Sequence, residues 1–211
     1  AATDIEKLAG QPELLQQAVA GGAAAFKIHC AQCHGAGGGG MVGYPNLADD
    51  EWLWGGDLKT IEYTLTHGIR QHDDPATRQS AMPGFEGVFD KGQLDALVGH
   101  VLSLSGKGQS NAAGAEIYTA NCVVCHGPAG EGDRAQGAPN LSNAIWLYGG
   151  QILRPKMGVM PRWADKLDPA TIKMLAVYVH SLGGGEAAPA ATAQTNTPAL
   201  TPAADGADEQ P

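Results

Sequence analysis

Apolar residues recur at helical spacing in two stretches, Leu94, Leu97, Val98, Val101 and Leu102, and then Ile172, Leu175, Ala176 and Val179. Steps of three and four predict one helix in each. Asp90 and Asp168 stand where N-caps belong, with Gln93 and Thr171 three residues on; only Gln93 completes a capping box. Gly106 and the run Gly183-Gly184-Gly185 end the two helices. Leu14 to Cys30 and Ala113 to Cys122 read as helices that each deliver a cysteine at their end, and Lys59 to His67 as a further helix of the first half. Nothing reads as a sheet, so the expected fold class is all-α.

The same signals occur twice in the same order. Gly22 and Phe26 precede Cys30 by the spacing at which Gly114 and Tyr118 precede Cys122. Pro45-Asn46-Leu47 and Pro139-Asn140-Leu141 follow, then Trp52-Leu53 and Trp146-Leu147, then a Gly-Gly pair at 55/56 and at 149/150. Counted from Met82 and Met160, the closing segments align without a gap through Pro83/Pro161, Asp90/Asp168, Leu97/Leu175 and Val101/Val179. A repeat of this length predicts two tandem domains. The expected limits are 13–105 and 114–185, with 1–12 as an N-terminal segment and 106–113 as a linker. The stretch 186–211, rich in Ala, Pro and Thr, is expected to be a disordered tail. The repeats differ in one place. Gly56 to Met82 is far longer than Gly150 to Met160, so the second repeat is expected to lack a middle helix or a segment there.

Composition sharpens the reading. Aromatic residues are 6% of the chain and glycines number 30, so neither repeat can build a large core from side chains alone. The net charge of −9 is divided as −6 over residues 1–107, +1 over 108–185 and −4 beyond. That distribution argues against nucleic acid as a partner and permits a basic protein partner. Asp49, Asp50, Glu51, Asp57, Asp73 and Asp74 are the candidate contacts. No apolar run is long enough to cross a membrane.

All four cysteines fall in Cys30-Ala31-Gln32-Cys33-His34 and Cys122-Val123-Val124-Cys125-His126. Two thiols at this spacing can add to the two vinyl groups of one haem, and the adjacent histidine then reaches the iron. The expected cofactors are two covalently bound haems c, bound through Cys30, Cys33, Cys122 and Cys125, with His34 and His126 as iron ligands. The porphyrin becomes the missing core. Zinc is the alternative for Cys-x-x-Cys pairs, but each pair here has its own complete surroundings. Met82 and Met160, each followed by proline and each lying between a haem motif and a last helix, are the expected sixth ligands. His/Met ligation raises the potential and closes the iron to substrates. Met157 is the rival at the second site, but only Met160 keeps the register. Pro45 and Pro139 are expected to accept the Nδ1 proton of His34 and His126. Trp52, Trp54, Trp146, Tyr148, Trp163, Phe85 and Arg162 are candidates for contact with haem edges or propionates. His29, His67, His72, His100 and His180 read as surface or packing residues.

The phrases PNLADDEWLWGGDLKTIEYTLTHGIR, SAMPGF, PNLSNAIWLYGG, GVMPRW and TIKMLAVYVHSLGGGE make residues 15–185 resemble the dihaem subunit (CcoP or FixP) of bacterial cbb-type haem-copper oxidases. The resemblance implies two class I cytochrome c-like domains on the periplasmic face of the inner membrane. It implies that electrons pass from a donor cytochrome c towards the monohaem and catalytic subunits, with no oxygen-reducing site on this chain. It also implies an N-terminal membrane anchor, which the sequence from Ala1 does not contain. By residue, it gives Cys30, Cys33, His34 and Met82 to the first haem and Cys122, Cys125, His126 and Met160 to the second. A free dihaem carrier is the alternative, and a dihaem peroxidase a more distant one.

Overall fold

The computed structural model describes residues 4–143, 145–150 and 152–187. Pro12 at the first helical position opens helix α1 (Pro12–His29), which ends at Cys30; the haem-motif turn α2 (Ala31–His34) follows at once. Asp57 caps α3 (Leu58–His67) by accepting from the Thr60 amide. Asp90 and Gln93 form the expected capping box on α4 (Lys91–Leu104). Asn111 caps α5 (Ala112–Asn121), and the second haem-motif turn is α6 (Val123–His126). Asp168 caps α7 (Pro169–His180) through the Ala170 and Thr171 amides. The fold is all-α; among the described residues extended pairing is limited to isolated bridges. In the described part of 127–168 there is no counterpart of α3, in keeping with the short second repeat.

Helix pairing departs from what two self-contained repeats would give. If each repeat closed on itself, α1 would pack on α4 and α5 on α7. Instead α1 and α3 pack on α7, while α4 packs on α5. The larger core joins Ala18, Ala25, Phe26 and Cys30 to Ile61, Leu65, Ile172, Leu175, Ala176, Val177 and Val179. The smaller consists of Leu97, Val101 and Tyr118, with Cys122, Leu141 and Trp146 against it.

The crossings rest on glycine. A Cβ on Gly22 would lie 2.1 Å from the Met174 carbonyl oxygen and 2.6 Å from the Tyr178 Cβ; one on Gly114 would lie 2.1 Å from the Ala96 carbonyl oxygen and 3.0 Å from the His100 Cβ. Only a residue without a side chain lets these backbones come so close.

The described part of the N-terminal segment, residues 4–12, belongs to the fold, because Ile5 and Leu8, in the 3-10 helix Ile5–Gly10, are buried in the larger core. Glu186, expected to begin the tail, is fastened instead. Its carboxylate accepts from the Gly56 amide at 2.7 Å and pairs with Arg134, while its carbonyl receives His180 Nε2. The expected tail from 188 onward lies outside the described residues.

This clasp should be sensitive to acid. Burial opposes the charge on Glu186, but Arg134 and the Gly56 amide outweigh it and hold the carboxyl below its ordinary value of 4.5. A depressed folded-state value means that the contribution is complete above the unfolded value and is lost as pH falls through the folded one. Glu186→Gln should therefore lower the thermal midpoint at pH 7 and flatten its decline below pH 4.5, measured by unfolding across a pH series.

Candidate functional site

Each haem motif is a helix end followed by one more turn. Cys30 and Cys122 terminate α1 and α5, so the first cysteine is fixed by a long helix, and the second cysteine and the histidine come one turn later. Gly35 and Gly127 then reverse the chain at φ 80° and 74°, where a side chain would be strained. The returning loops close by the same bonds in both copies. The Gly40 and Gly132 amides donate to the His34 and His126 carbonyls, and the Leu47 and Leu141 amides donate to Gly38 and Gly130.

This return brings the prolines into place. His34 Nδ1 lies 3.0 Å from the Pro45 carbonyl oxygen, and His126 Nδ1 lies 2.9 Å from that of Pro139. A carbonyl can only accept, so each Nδ1 carries the proton and Nε2 keeps its lone pair for a metal. Burial pushes the His34 pKa down against the opposing effect of its bond to Pro45, which favours the neutral ring that ligation requires.

Burial, and then the neighbouring Cys33, push the Cys30 thiol up to about 11; burial and Cys125 raise Cys122. The residues fit a haem in a further respect: the Trp54 indole N–H is buried with no acceptor among the described residues. An unpaired buried donor costs about 1–3 kcal/mol, and a haem propionate could accept from it.

The remaining candidates divide. Met160 is half-buried against the larger core, and Met82 is also half-buried. Met157 is half-exposed. Trp52 donates to the Gly184 carbonyl and Trp163 lies edge-on to His29, so both are held within the packed structure. His67 bonds Asp74, His100 bonds Ser110 and His180 bonds Glu186, which are packing roles. Arg162 is engaged with Asp73, Asp74 and Asp165.

Arg70 is absent from the sequence reading. It is the described non-glycine residue with a positive φ, 55°. Its Nε donates to the Gly158 carbonyl and its Nη1 to the Ser80 hydroxyl, at 2.6 and 2.7 Å. Gly158 and Ser80 each stand two residues before a Met-Pro, so one arginine clamps both methionine loops. The only sequence signal was a basic residue after a helix-ending glycine, which is too common to single out.

A family model described as cytochrome c oxidase, cbb3-type, subunit III matches residues 17–101 and 109–179. The chain belongs to this family. Among the relatives of this cbb3 subunit III chain is the cbb3-type cytochrome c oxidase subunit CcoP of Cereibacter sphaeroides, 49% identical over 196 residues, covering 87% of this chain and 68% of the relative. Subunit FixP of Azorhizobium caulinodans is 50% identical over 194 residues, covering 87% of this chain and 65% of its own length. Subunit FixP of Sinorhizobium medicae is 44% identical over 196 residues, covering 88% and 68%. The chain thus spans about two thirds of the length of these relatives. No helix among its described residues is long and apolar enough to cross a membrane.

Proposed function

We propose that this subunit III chain carries two haems c, each held by His and Met, and passes electrons from a donor cytochrome c towards the other subunits of a cbb3-type oxidase at the periplasmic face of the inner membrane. The observation that carries this reading is the duplicated histidine geometry, Nδ1 bound to a proline carbonyl directly after a Cys-x-x-Cys-His turn, in a chain of this family.

Bound haem c supplies a one-electron iron couple. The protein supplies orientation and exclusion. Pro45 and Pro139 orient the two imidazoles, Cys30 and Cys122 at helix ends would hold the haems covalently, and the half-buried thioethers of Met82 and Met160 would supply the second protein ligand to each iron. His and Met ligation of both irons would leave neither open to oxygen, which would place oxygen reduction on another subunit.

The acidic face offered to a basic donor is narrower than the sequence suggests. Asp57 is buried as the cap of α3, and Asp74 is engaged by His67 and the Ala76 amide. Asp50 and Glu51 remain exposed beside the first haem loop.

The expected result is two haems c per chain in the pyridine haemochrome spectrum, with no stoichiometric carbon monoxide uptake by the reduced protein. Uptake of one equivalent or more would show an open iron and remove the six-coordinate assignment from at least one site.

A further inference from the structure

Arg70 stands two residues beyond Gly68, which ends α3, and its φ of 55° is a left-handed conformation that a residue with a side chain adopts only at a cost. Glycine would take it freely, so at this position the side chain must do something that offsets the strain. The backbone here is a junction of three segments. Gly68 lies so close to the loop carrying Met160 that a Cβ on it would come 2.4 Å from the Met160 carbonyl oxygen. Ile69 and Met160 exchange amide bonds in both directions, at 2.9 and 3.0 Å, and the Arg70 amide donates to the Arg78 carbonyl at 2.8 Å.

The side chain reaches one methionine loop with each of two nitrogens, Nε to the Gly158 carbonyl and Nη1 to the Ser80 hydroxyl. Both acceptors are backed from behind. The Gly158 amide donates to the Tyr148 hydroxyl at 2.8 Å, and Ser80 lies against Gly137, where a Cβ would come 2.9 Å from the Ser80 Cβ. Burial pushes the half-buried guanidinium down from its ordinary pKa and Tyr148 opposes this, with no carboxylate contributing, so the two bonds are charge-assisted and not shared with an ion pair. A planar guanidinium also fixes the spacing of the two atoms that it holds. Met82 and Met160 each follow a clamped residue by two positions. A displacement of either loop is therefore passed to the other.

We infer that Arg70 is a positioning residue shared by the two iron sites: by fixing Ser80 and Gly158 to each other it sets both methionine sulfurs, so that the two haems keep or lose sulfur ligation together. This rests on the proposed His/Met ligation and holds whichever haem each methionine serves. Because methionine ligation raises the reduction potential, one residue then governs the potentials of both haems.

The test is a redox titration of the purified holoprotein, with the weak red absorption band of ferric iron bound to methionine sulfur recorded alongside. Arg70→Met keeps the length of the side chain and loses both bonds. It is expected to lower the midpoint potentials of both haems, weaken the band at both and admit carbon monoxide to both reduced irons. Ser80→Ala releases one loop only and is expected to shift one haem. Arg70→Lys keeps the charge but cannot hold two acceptors at the spacing of the fork, so at least one haem is expected to stay lowered; this variant also decides the matter should Arg70→Met not fold. Shared positioning is overturned if Arg70→Met moves only the haem that Ser80→Ala moves, if it lowers the unfolding midpoint and leaves both potentials unchanged, or if lysine restores both potentials in full. Each of those results leaves His/Met ligation standing. If the unsubstituted protein lacks the band, ligation and the role of Arg70 fail together.

Discussion

A Cys122→Ala, Cys125→Ala double substitution is expected to melt α4 and α5 together, while α1, α3 and α7 persist. Around the second haem motif the buried apolar side chains among the described residues are Leu97, Val101 and Tyr118, far too little apolar burial to offset the entropy of ordering two helices and their loops. The haem must supply the remaining core. The first motif is better provided, since its cluster runs from Ile5 and Leu8 through Phe26, Ile61 and Leu65 to five buried residues of α7. Amide hydrogen exchange is the suitable measurement because it reports each helix separately. Protection should vanish over Lys91–Leu104 and Ala112–Asn121 and survive over Pro12–His29 and Pro169–His180. If α7 melts and α4 survives, the helix pairing described here is wrong. The reciprocal Cys30→Ala, Cys33→Ala variant should cost less helicity, although it removes the haem beside the larger unit.

The second large effect is expected at the helix crossings. Gly22→Ala should destabilise the α1–α7 unit by about 1–3 kcal/mol, because its new methyl meets backbone at 2.1 Å and the helices must separate. Gly114→Ala should do the same to the α4–α5 pair, where the obstacle is again a backbone carbonyl at 2.1 Å. Gly21→Ala is the control on the neighbouring residue. Its methyl would meet the Met174 sulfur at 2.5 Å, the end of a flexible side chain that can swing aside, and alanine gains roughly 1 kcal/mol of helix propensity over glycine. Denaturant midpoints should fall clearly for Gly22→Ala and Gly114→Ala and stay near wild type for Gly21→Ala. Equal losses at Gly21 and Gly22 would show that the close approach is not what these glycines provide.

Sequence by itself determined the local chemistry and the elements. The haem-motif turns follow from residues adjacent in the chain, and the caps at Asp90 and Asp168 from side chains within three residues of the amides they bind. The proline carbonyls were legible too, because the return loop from His34 to Pro45 is closed by its own glycines. Which helix meets which was decided only in three dimensions. The two repeats carry the same crossing glycine and similar apolar faces, so α1 finds a matching surface on either α4 or α7, and pattern alone leaves the choice degenerate. Connection length breaks the tie. The short link from Ser105 to Asn111 favours α4 packing against α5, and α7 is then the surface left for α1. Arg70 was invisible for the same reason. Its partners, Ser80 and Gly158, are far apart in sequence and meet only because the methionine loops pass each other.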